Sequence, residues 1–537
     1  MTEVLRVERK HSVCSERWAL DPLWSRGPNA VPKRWLGAFS VKIHMETIEA
    51  YLERKHEELR LLNVCLRRPL ALSYPRSVME VIERKFQLTA ALRAEHELHD
   101  WTVTETAWSP ARQRGTGPFE FRYDYQRADL EVRGPSFYEL DDEMTPEAVY
   151  TASGMAAISA LLFASAHVMR RADILVLPGS YGETLEFIAR YAPHLRLITL
   201  KSSLGEAIAA TGSPRIILLD SSAPAANFEA ALSGSGPALD LVIFDTTCFS
   251  NGSGRIRRAL RWARKWNIPA VMVRSHTKLD SLGAEYGRLG SAVFVHWATN
   301  DPWESRPQLR TLPAETRNAV RLFGGAPLPA HFPPYVGTSS YRMLTNKRMA
   351  AILRNCRRAG RYFASSLAGL TAELHFAHGL YVTLDSSIPL SEATARRAAA
   401  AMSQDMKREG FPIRHAGSFG FDFAATEWFH NATNNQYSVR VTVPDLPATI
   451  WDDLTRAVAD WWRMHQLSCA HREQRVGNVR RSDCSRSESW PTVERELEIR
   501  RDNIVPTIKK ESLGRRGSDG NGSYDRPRQC GLPDEQR

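Results

Sequence analysis

The middle of the chain alternates short apolar runs with segments of helical length. Residues 174–177, 216–219, 241–244, 270–273 and 292–295 are apolar at successive positions, and 195–200 is mostly apolar, which leaves little of either face of an extended segment for water. Most are separated by stretches such as 183–191 and 256–266, where apolar residues recur at helical spacing. Runs apolar on both faces with helices between them predict an α/β fold, with a mostly parallel sheet covered by helices on both sides. In such a sheet the reactive groups gather at the C-terminal ends of the strands.

The flanks differ. Residues 45–66 and 78–98 show helical spacing, as in Val78, Val81, Ile82 and Phe86, with Pro69 and Pro75 between them, while the first 44 residues are rich in Trp, Pro and Arg without a period. We expect residues 1–115 to form a partly helical N-terminal extension whose apolar stripe is packing surface, and 116–325 to form the large domain. Beyond it, Pro327, Pro329, Pro333 and Pro334 mark a boundary. A helix over 346–370, a strand over 379–384, a helix over 391–409, a strand over 437–443 and a helix over 451–465 predict a smaller C-terminal α/β domain, residues 326–468. The tail, 469–537, mixes Arg, Ser, Gly and acidic residues and is expected to be largely disordered, with a short helix over 493–501.

Composition narrows the partners. At 537 residues and 43% hydrophobic, the chain can bury a large core. Its net charge of +11 arises from both signs mixed along the sequence, which reads as a solvated surface, so no nucleic acid is expected. The seven cysteines are odd in number and lack zinc-type spacing, which favours free thiols in a reducing compartment, a cytoplasmic location and no metal site. The longest apolar stretch, 155–169, is interrupted by Ser159, Ser165 and His167 and falls short of a membrane span. The N-terminus carries Glu3 and Glu8 and no apolar core of an export signal.

Candidate chemistry centres on Ser275-His276-Thr277-Lys278, just after the run 268–273. A lysine crowded at a strand end is desolvated and tends to lose its proton, and a neutral amine can form a Schiff base. Ser275 and Thr277 flank it with hydroxyl donors suited to an anion; the plainer alternative is a surface lysine in a loop. Upstream, Thr151-Ala152-Ser153-Gly154-Met155-Ala156-Ala157 opens into an apolar helix. Free N–H groups there make an anion site that Gly154 leaves open to close approach, or else the glycine merely packs. Tyr181, in Tyr181-Gly182-Glu183-Thr184, stands beyond a strand end and suits stacking on a flat ring or packing in the core. Asp245 ends the run 241–244, where a carboxylate needs a cation or donors, unless it caps the turn with Thr246 and Thr247.

Taken in order, these segments resemble pyridoxal-phosphate enzymes of the aspartate aminotransferase fold, and among them the cystathionine gamma-synthase (Cys/Met metabolism) family. The family's S-G-M-A-A loop is similar to Ser153-Gly154-Met155-Ala156-Ala157, its Y-G-x-T to Tyr181-Gly182-Glu183-Thr184, its D-x-T to Asp245-Thr246-Thr247 and its S-x-T-K to Ser275-His276-Thr277-Lys278. Its Y-x-R motif, which reaches the cofactor phosphate of a neighbouring subunit, resembles Tyr125-Gln126-Arg127. Its carboxylate-binding arginine resembles Arg440 in Ser438-Val439-Arg440-Val441, and its S-L-G-G is loosely echoed by Ser418-Phe419-Gly420-Phe421. The family's glycine-histidine segment after the lysine is replaced by 279–286, and its asparagine-proline turn appears as Ser222-Ala223-Pro224.

The resemblance spans residues 120–465. It implies a seven-stranded-type sheet, pyridoxal 5'-phosphate held by Tyr125, Arg127, Ser153, Gly154, Met155, Tyr181, Asp245, Ser275, Thr277 and Lys278, catalysis by Lys278 and Tyr181, and a substrate held by Arg440 and Ser418. It also implies a homodimer or tetramer and elimination or replacement at the β- or γ-carbon of an amino acid. An aminotransferase of the same fold, or a non-catalytic protein that keeps it, are the alternatives.

Overall fold

The computed structural model describes residues 46–479 apart from 100–111, 115–116, 123–130, 201–203, 210–213, 235–237, 368–371, 376–378, 387 and 432–435. It opens with helices α1 (Ile48–Val64) and α2 (Val78–His99), then a small three-stranded antiparallel sheet of β1 (Arg112–Arg114), β2 (Glu120–Arg122) and β3 (Glu131–Arg133). The central alternation follows as β4 (Met144–Thr151), α3 (Gly154–Val168), β5 (Ala172–Val176), α4 (Gly182–Tyr191), β6 (Leu195–Thr199), α5 (Leu204–Ala209), β7 (Arg215–Asp220), α6 (Ala225–Ser233), β8 (Leu241–Asp245), α7 (Gly254–Lys265), β9 (Ala270–Ser275), β10 (Gly290–Trp297) and α8 (Leu312–Leu322). The C-terminal part contains α9 (Ser339–Ser366), β11 (Ala372–His375), β12 (Tyr381–Leu384), α10 (Glu392–Arg408), β13 (Ile413–His415), β14 (Ala424–Asn431), β15 (Gln436–Thr442) and α11 (Ala448–Val479). The expected tail and its short helix over 493–501 lie outside the described residues.

Seven strands form the large sheet in the order β4-β10-β9-β8-β7-β5-β6. All six apolar runs read from the sequence are strands in it. Five of them pair in parallel, while β10 runs antiparallel to both β9 and β4. The two faces sort by alternate residues, as the period of a strand requires. Leu175, Ile217, Leu219, Val242, Phe244 and Met272 pack against α6 and α7, whereas Ile174, Ile216, Leu218, Ile243, Val271 and Val273 pack against α3, α4 and α8. The sequence pattern missed β4, whose Pro146 and polar positions do not read as a central strand. As an edge strand it tolerates a proline, because one side of its ladder is open.

A second, five-stranded sheet in the order β11-β12-β15-β14-β13 packs against α9, α10 and α11. The polar sequence of β14, Ala-Ala-Thr-Glu-Trp-Phe-His-Asn, hid it from periodicity. Helix α9 starts seven residues before its expected onset because Thr338 accepts a hydrogen bond from Tyr341 N at 3.1 Å, a side-chain cap directly after Gly337 at φ 87°.

The N-terminal helices are built into this body. Tyr51, Val78, Val81 and Ile82 join the core of the second sheet, while Leu59, Leu62, Leu88 and Leu92 join a cluster with Leu282, Tyr286 and Tyr335. Between these cores lies a charge network closed to water. Lys55 Nζ reaches Asp422 at 2.7 Å and Asp445 at 2.6 Å, Arg54 binds Asp445 through two nitrogens at 2.7 and 2.9 Å, and Lys85 and Arg348 close on Glu58 and Asp422. Two cations continue into backbone: Lys85 Nζ donates to Leu282 O at 2.8 Å and Arg348 to Gly420 O at 2.8 Å. Burial opposes every charge here, yet the surrounding cations hold the Asp422 and Asp445 carboxyls well below their ordinary range. Burial and then Arg348 bring the Lys55 ammonium down to about 8, which leaves it charged at neutral pH. The carboxylates govern the network's response to acid, since each faces several cations at once.

Lys85→Ala leaves Glu58 and Asp422 short of a cation in a dry interior, and is expected to lower stability by about 3–5 kcal/mol, read as a lower urea midpoint with an unchanged slope. Because the folded-state pKa values of Asp422 and Asp445 lie below the ordinary value of 3.8, their contribution is complete above about pH 5. It is lost as the pH falls through 3.8 towards the folded values. A stability profile flat between pH 6 and pH 3 would contradict this.

Candidate active site

The ends of three parallel strands carry the polar groups. Asp220 closes β7, Asp245 closes β8 and Ser275 closes β9, with Asp220 and Asp245 directly in register. The start of α3 is wedged against them. Ser153 caps α3 by accepting from Ala156 N at 3.0 Å, and Gly154 lies so near β9 that a Cβ on it would meet Ser275 Cβ at 2.9 Å. Gly290, the first residue of β10, is as constrained, since its Cβ would fall 2.3 Å from the Ser153 carbonyl carbon. Ser275 N donates to Thr247 Oγ1 at 3.1 Å, and the hydroxyls of Ser275 and Thr277 lie 3.0 Å apart. Hydroxyls and first-turn N–H groups of a fifteen-residue helix thus meet at one place, as an anionic group requires. Met155 ties this helix start to α4, its Sδ 3.9 Å from Thr184 Oγ1.

Asp245 Oδ1 accepts from Thr247 N at 2.8 Å. Burial and then the neighbouring Asp220 carboxylate push its carboxyl up to about 7. Asp220 itself accepts from Tyr181 N at 2.8 Å and Ser222 N at 2.7 Å. Two carboxylates side by side at buried strand ends make this a position that favours an incoming cation. Tyr181 caps α4 without a side-chain bond and keeps 38% of its surface exposed, although burial of its hydroxyl, followed by Glu183, raises its pKa.

Lys278 is half-buried, and its Nζ donates to Ser418 Oγ at 2.5 Å. Desolvation lowers its pKa, partly offset by Glu285, Glu427 and Glu183. Below the amine lies the Phe419 ring, 5.7 Å from centroid to Nζ, and Gly420, at φ 88°, packs so closely that a Cβ would touch Lys278 O at 2.8 Å. Phe419 meets Tyr381 edge to face at 5.7 Å, and the Arg440 guanidinium lies over Tyr381 at 4.6 Å and over Phe429 at 4.1 Å. Arg440 pairs with Glu427 at 2.7 Å. Behind Lys278, Asp280 fixes the loop through Arg274 and His276 at 2.7 and 2.8 Å, and His276 stacks on Phe137 at 3.9 Å.

The structure therefore gathers Ser153, Gly154, Met155, Asp245, Ser275 and Thr277 around one cradle. Lys278, Ser418 and Arg440 form a chain of contacts through Phe419 and Tyr381, and Tyr181 bonds Asp220 through its N–H while its hydroxyl lies under the influence of Glu183, Glu427 and Arg440. Tyr125 and Arg127 lie outside the described residues. Sequence reasoning missed Asp220, Tyr381 and Glu427. Asp220 was legible in principle, as a carboxylate ending an apolar run just like Asp245; Glu427 was not, because β14 was not recognised as a strand. A cavity of about 290 Å³ beside β4 and β10, lined by Phe137 and Tyr150 among others, includes none of the predicted site residues. Among the described residues no cluster of His, Cys, Asp and Glu is placed to hold a metal ion, and no helix is long and apolar enough to cross a membrane.

No family model matches the chain, and no curated protein does. Among solved structures it is similar to cystathionine gamma synthase from Xanthomonas oryzae pv. oryzae in complex with cystathionine, at 16% identity over 59% of this chain and 82% of that chain, with a TM-score of 0.41. It is also similar to O-acetylhomoserine sulfhydrylase of Wolinella succinogenes, at 15% identity over 59% and 91% with a TM-score of 0.39, and to metB from Corynebacterium glutamicum, at 14% over 73% and 89% with a TM-score of 0.40.

The Asp220–Asp245 pair yields a direct expectation. Asp220→Asn removes the neighbouring charge, so the Asp245 carboxyl, near 7 in the unmodified protein, should titrate at lower pH. Difference infrared spectroscopy of the carboxyl stretch reads it, and an unchanged titration would show that Asp220 does not act on Asp245.

Proposed function

We propose that the chain is a pyridoxal-phosphate-dependent lyase or transferase that eliminates or replaces a group at the β- or γ-carbon of an amino acid. The observation that carries this reading is a half-buried lysine with a lowered pKa next to a cradle whose two ends ask for opposite charges. The α3 start with Ser275 and Thr277 suits a phosphate, and the Asp245–Asp220 pair suits a protonated ring nitrogen. The donor set therefore fits the cofactor. Bound there, pyridoxal phosphate supplies an electron sink for negative charge developing at the substrate's α-carbon.

The protein's own residues supply the rest. Lys278 Nζ, whose pKa burial lowers, is placed to accept a proton from the α-carbon and return it further along the substrate. Ser418 Oγ fixes that amine at 2.5 Å, and Phe419 excludes water below it. Asp245 holds a cationic nitrogen through charge, and Tyr181 offers a ring for stacking. Arg440 presents a planar fork suited to the substrate's carboxylate. Chemistry at the γ-carbon needs a second proton moved at the β-carbon, work that Lys278 and Tyr181 could share.

Borohydride reduction followed by peptide mapping is expected to find the pyridoxyl group on Lys278; finding it on another lysine, or on none, would overturn the cofactor assignment. In heavy water, deuterium entering at both the α- and β-carbons supports γ-chemistry, whereas α-only exchange with loss of a β-substituent supports β-elimination. Stoichiometric conversion of the cofactor to its amine form with release of a keto acid, the cofactor being restored by a second keto acid, would instead make the protein an aminotransferase.

A further inference from the structure

The guanidinium suited to a substrate's carboxylate already holds a carboxylate of the chain itself. Glu427 on β14 and Arg440 on β15 are directly opposed in the antiparallel register, so the ladder sets them face to face. Arg440 Nη2 lies 2.7 Å from Glu427 Oε1, with side-chain exposures of 10% and 15%. The pair is walled in. Phe429 and Tyr381 lie against the guanidinium at 4.1 and 4.6 Å, and the Tyr381 hydroxyl is hydrogen-bonded to Glu427. On the remaining side, Gly417 leaves room for the carboxylate, since a Cβ there would sit 2.7 Å from Glu427 Oε2.

A carboxylate that takes the Nη2 edge of Arg440 displaces Glu427 from it. The displaced side chain keeps the Tyr381 hydroxyl but loses its counter-charge, and an unpaired carboxylate at this depth is costly. The neighbouring carboxylates do not relieve it. Glu183 bears on Tyr181 together with Glu427, and Glu285, Glu427 and Glu183 all act on Lys278, so this side of the site is rich in negative charge. A neutral amino acid would bring one carboxylate in and strand another. An amino acid with a second positive group completes the exchange, its carboxylate on Arg440 and its cation on Glu427.

We propose that Glu427 is a resident competitor for Arg440 and selects α-amino acids whose side chain carries a second ammonium or other basic group. This rests on the reading that Lys278 holds the cofactor and Arg440 the substrate's carboxylate. Glu427 acts as a specificity residue, exchanging one ion pair for two.

Ornithine and norvaline share a carbon skeleton and differ in the terminal ammonium, so their dissociation constants test the idea. Calorimetry on the full-length, cofactor-loaded protein should find ornithine bound about tenfold or more tighter than norvaline, the scale of one partly buried charge pair. Glu427→Gln frees Arg440 and removes the cation's partner, so norvaline should tighten, ornithine weaken and the ratio fall towards one. Norvaline binding as well as ornithine to the unmodified protein would overturn the proposal without any variant. A ratio unchanged in E427Q would overturn it as well. Should E427Q melt early, Glu427→Asp, which keeps the charge, must retain the preference for ornithine. Borohydride labelling of the same preparation separates the two readings: label on Lys278 with a flat ratio sinks only the role of Glu427, and absence of label sinks the cofactor assignment.

Discussion

The buried ion network between the N-terminal helices and the second sheet is the constraint on which the site depends. Arg54, Lys55, Lys85 and Arg348 face Glu58, Asp422 and Asp445 with almost no water, and such groups are tolerable only when every charge has partners. Satisfying them forces α1, α2, α9 and the segments around 422 and 445 into one arrangement. Two strands of that arrangement lead outward to the site. Lys85 grips Leu282 O, four residues beyond Lys278, and Arg348 grips Gly420 O, two residues beyond Ser418. The lysine and the hydroxyl that meet at 2.5 Å thus belong to loops held by neighbouring cations of the same cluster.

The two halves of the site obey different physics. Around Gly154 the limiting quantity is space: backbone from α3, β9 and β10 converges so tightly that only glycine fits at 154 and 290, which leaves N–H groups and hydroxyls as the accessible surface. Around Asp245 and Glu427 the limiting quantity is charge. Asp245 is raised by burial and a neighbouring carboxylate, whereas Glu427 is neutralised by the arginine opposite it. One position invites a cation, and the other is already answered. Lys278 stands where Glu427 acts on it, with burial the larger influence on its proton.

Much of this could be read along the chain because it depends on local pattern. Apolar runs marked six strands of the large sheet, most of which are covered on both sides and have no polar position to spare, and the glycine-containing start of α3 announced itself by its small residues. Asp245, Ser275, Thr277 and Lys278 were singled out because they lie at or within a few residues of the ends of such runs, and parallel strands bring their ends to one edge. Tertiary structure alone decided what sequence separation conceals. The charges of α1 and α2 read as part of a solvated surface, yet Asp422 and Asp445, which Arg54, Lys55 and Lys85 face, lie 337 to 391 residues away, so only packing could show them buried. The edge strand β4 and the polar β14 lack the continuous apolar signature, because one has an open side and the other borrows its place from β15. With β14 hidden, the register that sets Glu427 against Arg440 was hidden too: a cross-strand pair exists only once two strands are aligned.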